Sequence, residues 1–384
     1  MLKALQGVRA LVGTIWIDEA TVLIDDDQIV SVDQAPVPLG TVTEQWPGYL
    51  ALPGIVDIHG DAVERAIAPR PSSTFSIPSA LVDNDLVMLA SGITTAFLSL
   101  TDSPEPGLRS RATLRTIAEA LRSPMRLSVD TRIHVRHEIL QTTQHDELLE
   151  WITDGTVTMV SMNDHYPEGP EENVTRQAIN LRNRINLPVD EIAGIIRRSW
   201  SERAVGEVQL EAIVDACRTA RVPLASHDDD SEHMIRRNAT RGVSISEFPA
   251  TKELAVLARE LGAGVLLGSP NLVRGGSHMG RLAAADAIVG GHIDALCSDY
   301  HYSSVFRSPF LSPCELAQAW NLMSSGPARL AGIDDRKGVL RVGADADVLI
   351  VQPGNGTAGT ERLRSVWCRG IEQLRTAPSA GQGS

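Results

Sequence analysis

Cysteine, basic charge and long apolar runs are all scarce in this chain of 384 residues. The four cysteines, Cys217, Cys297, Cys314 and Cys368, are scattered without any Cys-x-x-Cys spacing. That excludes a disulfide framework and leaves each as a small buried hydrophobe. Acidic residues outnumber basic ones 48 to 35, for a formal charge of −13. Nucleic acid is therefore not expected as a partner, because duplex binding needs a basic footprint. An anionic substrate has to be drawn by a local basic pocket, not by the field of the whole protein. No apolar run approaches the roughly 18 residues that span a membrane. The opening Met1–Gln6 lacks the apolar core and cleavage site of a secretory signal. The expectation is a cytoplasmic protein with no membrane contact.

What is present fits a globular enzyme: 43% hydrophobic and 22% charged residues. The length suffices for one domain of about 250 residues and a smaller one. Both ends read as short strands and the middle does not. Residues 1–50 and 335–375 are expected to combine into a β-sandwich, with 51–334 between them and a disordered tail at 376–384. In the middle, strands at 54–58, 94–98, 127–135, 157–161, 222–225, 244–247, 264–267 and 295–297 alternate with helical patterns. The helices are expected at 79–91, 111–121, 201–220, 252–261 and 283–289. Eight strands with crossover helices predict an α/β fold, a (β/α)₈ barrel whose functional groups gather at the C-terminal strand ends.

Those ends carry ligand-type residues. His59 and Asp61 follow the apolar first strand two apart, so they share a face and can aim at one metal. Glu138 ends the third strand and is the natural bridge between two ions. His165 follows the fourth strand, His227 the fifth and Asp299 the eighth. Each alone is an ordinary capping or turn residue; five strands of eight ending this way point to a paired divalent site. Two ions about 3.5–4 Å apart generate hydroxide near neutral pH. Asp299 would ligate one ion and accept the nucleophile's proton, which makes it the catalytic candidate. Nitrogen and oxygen donors suit zinc, the expected metal, and also iron or manganese. The remaining histidines have plainer readings: His134 fills the barrel interior, His137 packs on the helix layer, and His145 and His292 are structural or solvated. His233 and His301 are expected in loops after strands that carry ligand-type residues, where either could touch substrate. The run Asp228–Asp230 offers a further metal site, but such a loop run is by default a solvated turn or helix cap.

After the seventh strand, residues 268–280 hold four glycines, which let backbone N–H groups approach a ligand. Asn271, Arg274, Ser277 and His278 add donors suited to phosphate oxygens. Arg70, Arg136 and Lys252, each by default a solvated charge, extend the pocket. A phosphorylated small molecule is the expected substrate.

With these residues, the chain resembles the amidohydrolase superfamily and, within it, the diphosphatases of the carbon–phosphorus lyase pathway. The resemblance rests on 53–61, 68–71, 90–95, 225–229, 247–251, 268–280 and 298–300 and spans nearly the whole chain. It implies cleavage of α-D-ribose 1-methylphosphonate 5-triphosphate to the 5-phosphate and diphosphate. It also implies metal at His59, Asp61, Glu138, His165, His227 and Asp299, and phosphate at Lys252, Arg274 and His278. Two departures stand out: Ala62 replaces a usual Asn, and 167–172 carries Glu168, Glu171 and Glu172 where the family has a turn containing Arg. Two other readings are a hydrolase of a cyclic amide or N-acyl bond and a non-catalytic barrel. A homodimer is the default assembly.

Overall fold

The chain was analysed as a computed structural model, which describes residues 1–70, 73–166, 171–182, 185–277, 280–357 and 359–377. The tail expected to be disordered lies, from residue 378 on, outside the described residues. Five strands open the chain: β1 (Leu2–Val12), β2 (Ile15–Asp25), β3 (Gln28–Asp33), β4 (Val42–Gln45) and β5 (Leu50–Pro53). Eight follow: β6 (Ile55–Gly60), β7 (Ile93–Asp102), β8 (Asp130–Glu138), β9 (Met159–Asn163), β10 (Leu224–His227), β11 (Ile245–Glu247), β12 (Gly264–Gly268) and β13 (Ala295–Cys297). Three close it: β14 (Val348–Gln352), β15 (Arg362–Cys368) and β16 (Ile371–Arg375).

The terminal strands form one mixed eight-stranded sheet, ordered β16-β15-β14-β5-β1-β2-β3 with β4 on β1. Alternation along its strands sends Leu5, Val8, Val22, Ile24, Val348 and Ile350 into a core separate from that of the barrel. A left-handed turn at Gly13, φ 63°, lets β1 double back into β2. No helix among the described residues is long and apolar enough to cross a membrane.

Strands β6 to β13 run parallel in sequence order. All ten residues of β7 are buried, as a strand covered on both faces requires. Crossover helices bury one stripe: in Arg111–Arg122, Leu114, Ile117 and Ala118 face inward, and Ser110 caps the first turn by accepting from Thr113 N. The helix expected at 201–220 is Arg203–Ala220, and a second helix that was not expected, Val189–Ser201, precedes it with Glu202 between them. The barrel closes between its first and last strands. Asp299 N donates to His59 O at 2.8 Å and Asp61 N to Asp299 O at 3.0 Å. Just below, Asp57 accepts from Ser298 N (2.9 Å) and Ser298 Oγ (2.5 Å). Val56, Phe97, Met159, Ile245 and Leu266 fill the interior, so polar groups nearer the C-terminal rim rest on an apolar floor.

The barrel and terminal sheet are pinned by Lys337. This side chain, 3% exposed, reaches Asp345 at 2.8 Å, Asp347 at 3.0 Å and Asp130, at the start of β8, at 3.5 Å. Asp347 also accepts from Arg369 N, and its carbonyl accepts from Gly54 N between β5 and β6.

Candidate metal centre

The expected strand boundaries fall up to four residues short of the observed ends, so the ligand-type residues sit nearer their strands than the sequence suggests. His59 lies within β6, Glu138 ends β8 and His227 ends β10. Asp61, His165 and Asp299 lie within two residues of β6, β9 and β13. They approach one another at one rim.

His59 is fully buried. Its Nδ1 donates to Glu247 Oε1 at 2.8 Å, and Glu247 Oε2 accepts from Ser161 Oγ at 2.8 Å. This fixes the tautomer and leaves Nε2 as the basic nitrogen, buried and without a partner. Burial, then the neighbouring Arg136, lowers the His59 pKa to about 3, so the ring is neutral. His134 stands beside it, ring centroids 5.3 Å apart, with Nδ1 donating to the Ile58 carbonyl at 3.1 Å and Nε2 3.9 Å from Glu247. It lies in the barrel interior, as expected. His137 faces the other way and pairs with Asp102 at 2.8 Å, which Arg111 also grips.

A second cluster forms around His165. Its Nδ1 donates to Glu138 Oε1 at 2.5 Å and its backbone N to Glu138 Oε2 at 3.1 Å. Its Nε2 lies 3.3 Å from His227 Nδ1 and 3.6 Å from Asp228 Oδ2. Burial pulls the His165 pKa down, but hydrogen bonds to Asp228 and Glu138 outweigh it and raise the value to about 9. Asp228, held at φ 60°, also takes Arg281. Burial pushes its pKa up, yet contacts with His165 and His227 hold it well below the usual carboxylate range. The acidic run expected to be solvated therefore divides: Asp228 joins the cluster and Asp229 is buried, while Asp230 is exposed. The following helix is capped by Ser231.

Arg136 ties Asp61 to the second cluster, donating to Asp61 Oδ2 at 3.3 Å and to His227 Nε2 at 3.1 Å. Burial, then Arg136, lowers the His227 pKa to about 3. Burial, then the Asp61 carboxylate, raises that of Asp299 to about 7. Two groups of ligand-type side chains thus have donor atoms within 4.8 Å of one another: His59, His134 and Glu247, and His165, His227 and Asp228. The neutral imidazoles of His59 and His227, the carboxylates and the partnerless His59 Nε2 are a donor set that fits a divalent cation. Arg136 and a protonated His165 put positive charge among these same donors.

Two cavities flank the clusters and share His227, Asp228 and Arg281. The first, about 300 Å³, is also lined by Asp61, Asp299, Arg136, Asn271 and Ser277. Of the expected phosphate contacts, Asn271 is engaged at both ends of its amide, with the Leu282 carbonyl and Ala284 N. Ser277 Oγ accepts from Arg281 N, and exposed Arg274 donates to Tyr300 OH at 3.2 Å. Lys252 is exposed at the start of its helix and Arg70 is exposed in a bridge to Ser73; neither lines the two cavities. His278 lies outside the described residues, as do 167–170. Glu171, part of the acidic departure, is bound to Arg197.

Sequence reasoning missed Glu247 and Arg281, and it set Asp228 aside as part of a solvated turn. Glu247 had a signal: it is the carboxylate ending the sixth strand, by the rule that selected Glu138. Glu247→Ala is expected to lower metal affinity about 10- to 100-fold, read by chelator competition. An unchanged affinity would show that Glu247 does not orient His59.

The amidohydrolase family model matches residues 50–372. The alpha-D-ribose 1-methylphosphonate 5-triphosphate diphosphatase of Escherichia coli (strain K12) is 31% identical over 322 residues, covering 79% of this chain and 83% of that protein. Among solved structures, the beta-aspartyl dipeptidase of Fervidobacterium islandicum AW-1 superposes with a TM-score of 0.63 at 16% identity, covering 98% of this chain and 96% of that one. Dihydropyrimidinase from Brevibacillus agri NCHU1002 gives 0.59 at 14%, covering 98% and 95%. These two share the fold. A closed barrel with ligand-type residues at its rim and a family match over most of its length lead to one conclusion: the chain belongs to the amidohydrolase family and is a metal-dependent hydrolase.

Proposed function

We propose that this enzyme hydrolyses a phosphoanhydride of α-D-ribose 1-methylphosphonate 5-triphosphate, giving the 5-phosphate and diphosphate. The observation that carries the reading is the 31% identity to the Escherichia coli diphosphatase, maintained over 79% of the chain. Two divalent ions, zinc first and iron or manganese also suited, would be held by His59, Asp61, Glu138, His165, His227 and Asp299, with Asp228 beside them. Bound there, they would supply an activated water at neutral pH and neutralise charge developing on the phosphates.

The chain's own groups do the rest. Asp299 takes the proton of the attacking water. The water's oxygen forms the new bond to phosphorus as the bond to the bridging oxygen breaks and diphosphate leaves. Arg136 and Arg281, with Arg274, Ser277, Asn271 and His278 of the glycine-rich loop and Lys252 and Arg70 further out, draw the triphosphate to an otherwise acidic protein. Glu171 does not oppose this, because its charge is matched by Arg197. Commonest symmetry supports a homodimer, and the composition supports a cytoplasmic setting.

Diphosphate release from this substrate, with zinc, manganese or iron supplied, tests the reading. Release at enzymatic rates is expected. No release with all three metals, alongside turnover of a hydantoin-like amide, would overturn it.

A further inference from the structure

The second cavity, about 310 Å³, opens on the His165 side of the clusters. Its far wall is the helix Glu232–Thr240 and the residue after it, which contribute Met234, Arg237, Asn238 and Arg241. Most charges around it are already matched. Asp164 accepts from Arg203 at 2.6 and 3.1 Å. Asp229 accepts from Ser226, Ser246 and Asn238 at 2.5, 2.9 and 2.8 Å. Asp228 is held by Arg281 and the two histidines, and Arg241 by Glu211 at 2.6 Å.

Arg237 differs. Its Nε is buried without an acceptor, and among the described residues its guanidinium makes no hydrogen bond or ion pair. Exposed Asp230 is the cavity's other unmatched charge. A buried guanidinium donor left without an acceptor is costly, and in native proteins a bound water, ion or ligand commonly accounts for one. Its planar fork fits the oxygens of a tetrahedral phosphorus anion.

We infer that this cavity is the subsite for the phosphonate end of the substrate, with Arg237 as its anchoring cation. The inference rests on the proposed reaction. That substrate carries an anion at each end of a ribose, and the enzyme has a cavity on each side of the ligand cluster. The triphosphate enters beside the glycine-rich loop, the bond to be cleaved lies over the cluster, and the phosphonate reaches Arg237. Discrimination between ribose phosphates with and without the phosphonate then belongs to Arg237.

Calorimetric titration of the zinc-loaded full chain with α-D-ribose 1-methylphosphonate 5-phosphate and with ribose 5-phosphate tests this without needing turnover. The wild type is expected to bind the first more tightly. Arg237→Gln should weaken it about 10- to 100-fold while leaving ribose 5-phosphate unchanged. Arg237→Lys should restore part of the preference, and Asp230→Asn should enlarge it. Equal wild-type affinity for the two ligands, or an Arg237→Gln protein that still prefers the phosphonate, would overturn the assignment. Failure of the proposed reaction appears separately, as no diphosphate released from the triphosphate.

Discussion

Replacing Asp299 by asparagine will lower kcat about 10²- to 10⁴-fold, the range that a positioned proton acceptor contributes. The substitution keeps shape and size. Asn tolerates the left-handed φ of 53° as readily as Asp. The two backbone bonds that join Asp299 to His59 and Asp61 do not involve its side chain. What changes is a carboxylate whose affinity for protons burial and Asp61 have raised to about 7, close to where a base working at neutral pH should be poised. Metal content by mass spectrometry, measured alongside kcat, separates the two tasks given to this residue. Ions retained with kcat lost identifies proton transfer; ions lost as well identifies ligation. A variant keeping more than a tenth of the wild-type kcat would remove Asp299 from the chemistry.

The second large effect concerns stability. Lys337→Met should cost about 3–5 kcal/mol, as expected when one partner of a buried ion pair is removed. That is a large share of the roughly 5–15 kcal/mol that keeps a typical domain folded. Methionine fills the space of the lysine stem but leaves Asp347, 4% exposed, beside Asp345 with no ammonium between them. Asp345 keeps Arg336, whereas Asp347 keeps only the backbone of Arg369. Burial already pushes the Asp347 pKa above its ordinary value, with Lys337 opposing that push. In the variant the folded-state pKa rises further above the unfolded one. The penalty is therefore present above the folded pKa and relieved as pH falls through it. Denaturant unfolding should show the deficit at pH 7 shrinking toward pH 5, and Asp347→Asn added to Lys337→Met should recover part of it. A loss below about 1 kcal/mol would mean the cluster does not pin the sheet to the barrel.

Much of the architecture was legible in the sequence because each strand of a covered barrel is an apolar run ending in polar residues. Ile55 to Asp61 shows this in miniature. The ends were harder. Strands continue into polar residues such as Arg136-His137-Glu138, where hydrophobicity has faded but backbone pairing with β7 and β9 persists. The helix Val189–Ser201 went unread, although the one after it was expected to within two residues of its start. In the site, His59 and His227 announced themselves by type and position, and their rings lie 5.4 Å apart. Residues whose part depends on three-dimensional neighbours did not. Asp228 looked like any loop carboxylate until His165, more than sixty positions earlier, was seen facing it. Arg136, read as a phosphate contact, touches Asp61 and His227 instead of solvent. No local pattern could place a guanidinium between an aspartate and an imidazole from two other strands.

The seam of the barrel has a consequence for synthesis. Asp57 and Ser298, which stitch it, are 241 positions apart, and their neighbours His59 and Asp299 are joined through their backbones beside them. A ribosome has to translate most of the message before the two edges can meet, and pairing over such separations is slow. Nascent chains lacking the last barrel strand would leave the rim open on one side, so a site built across it can form only when the circle is complete.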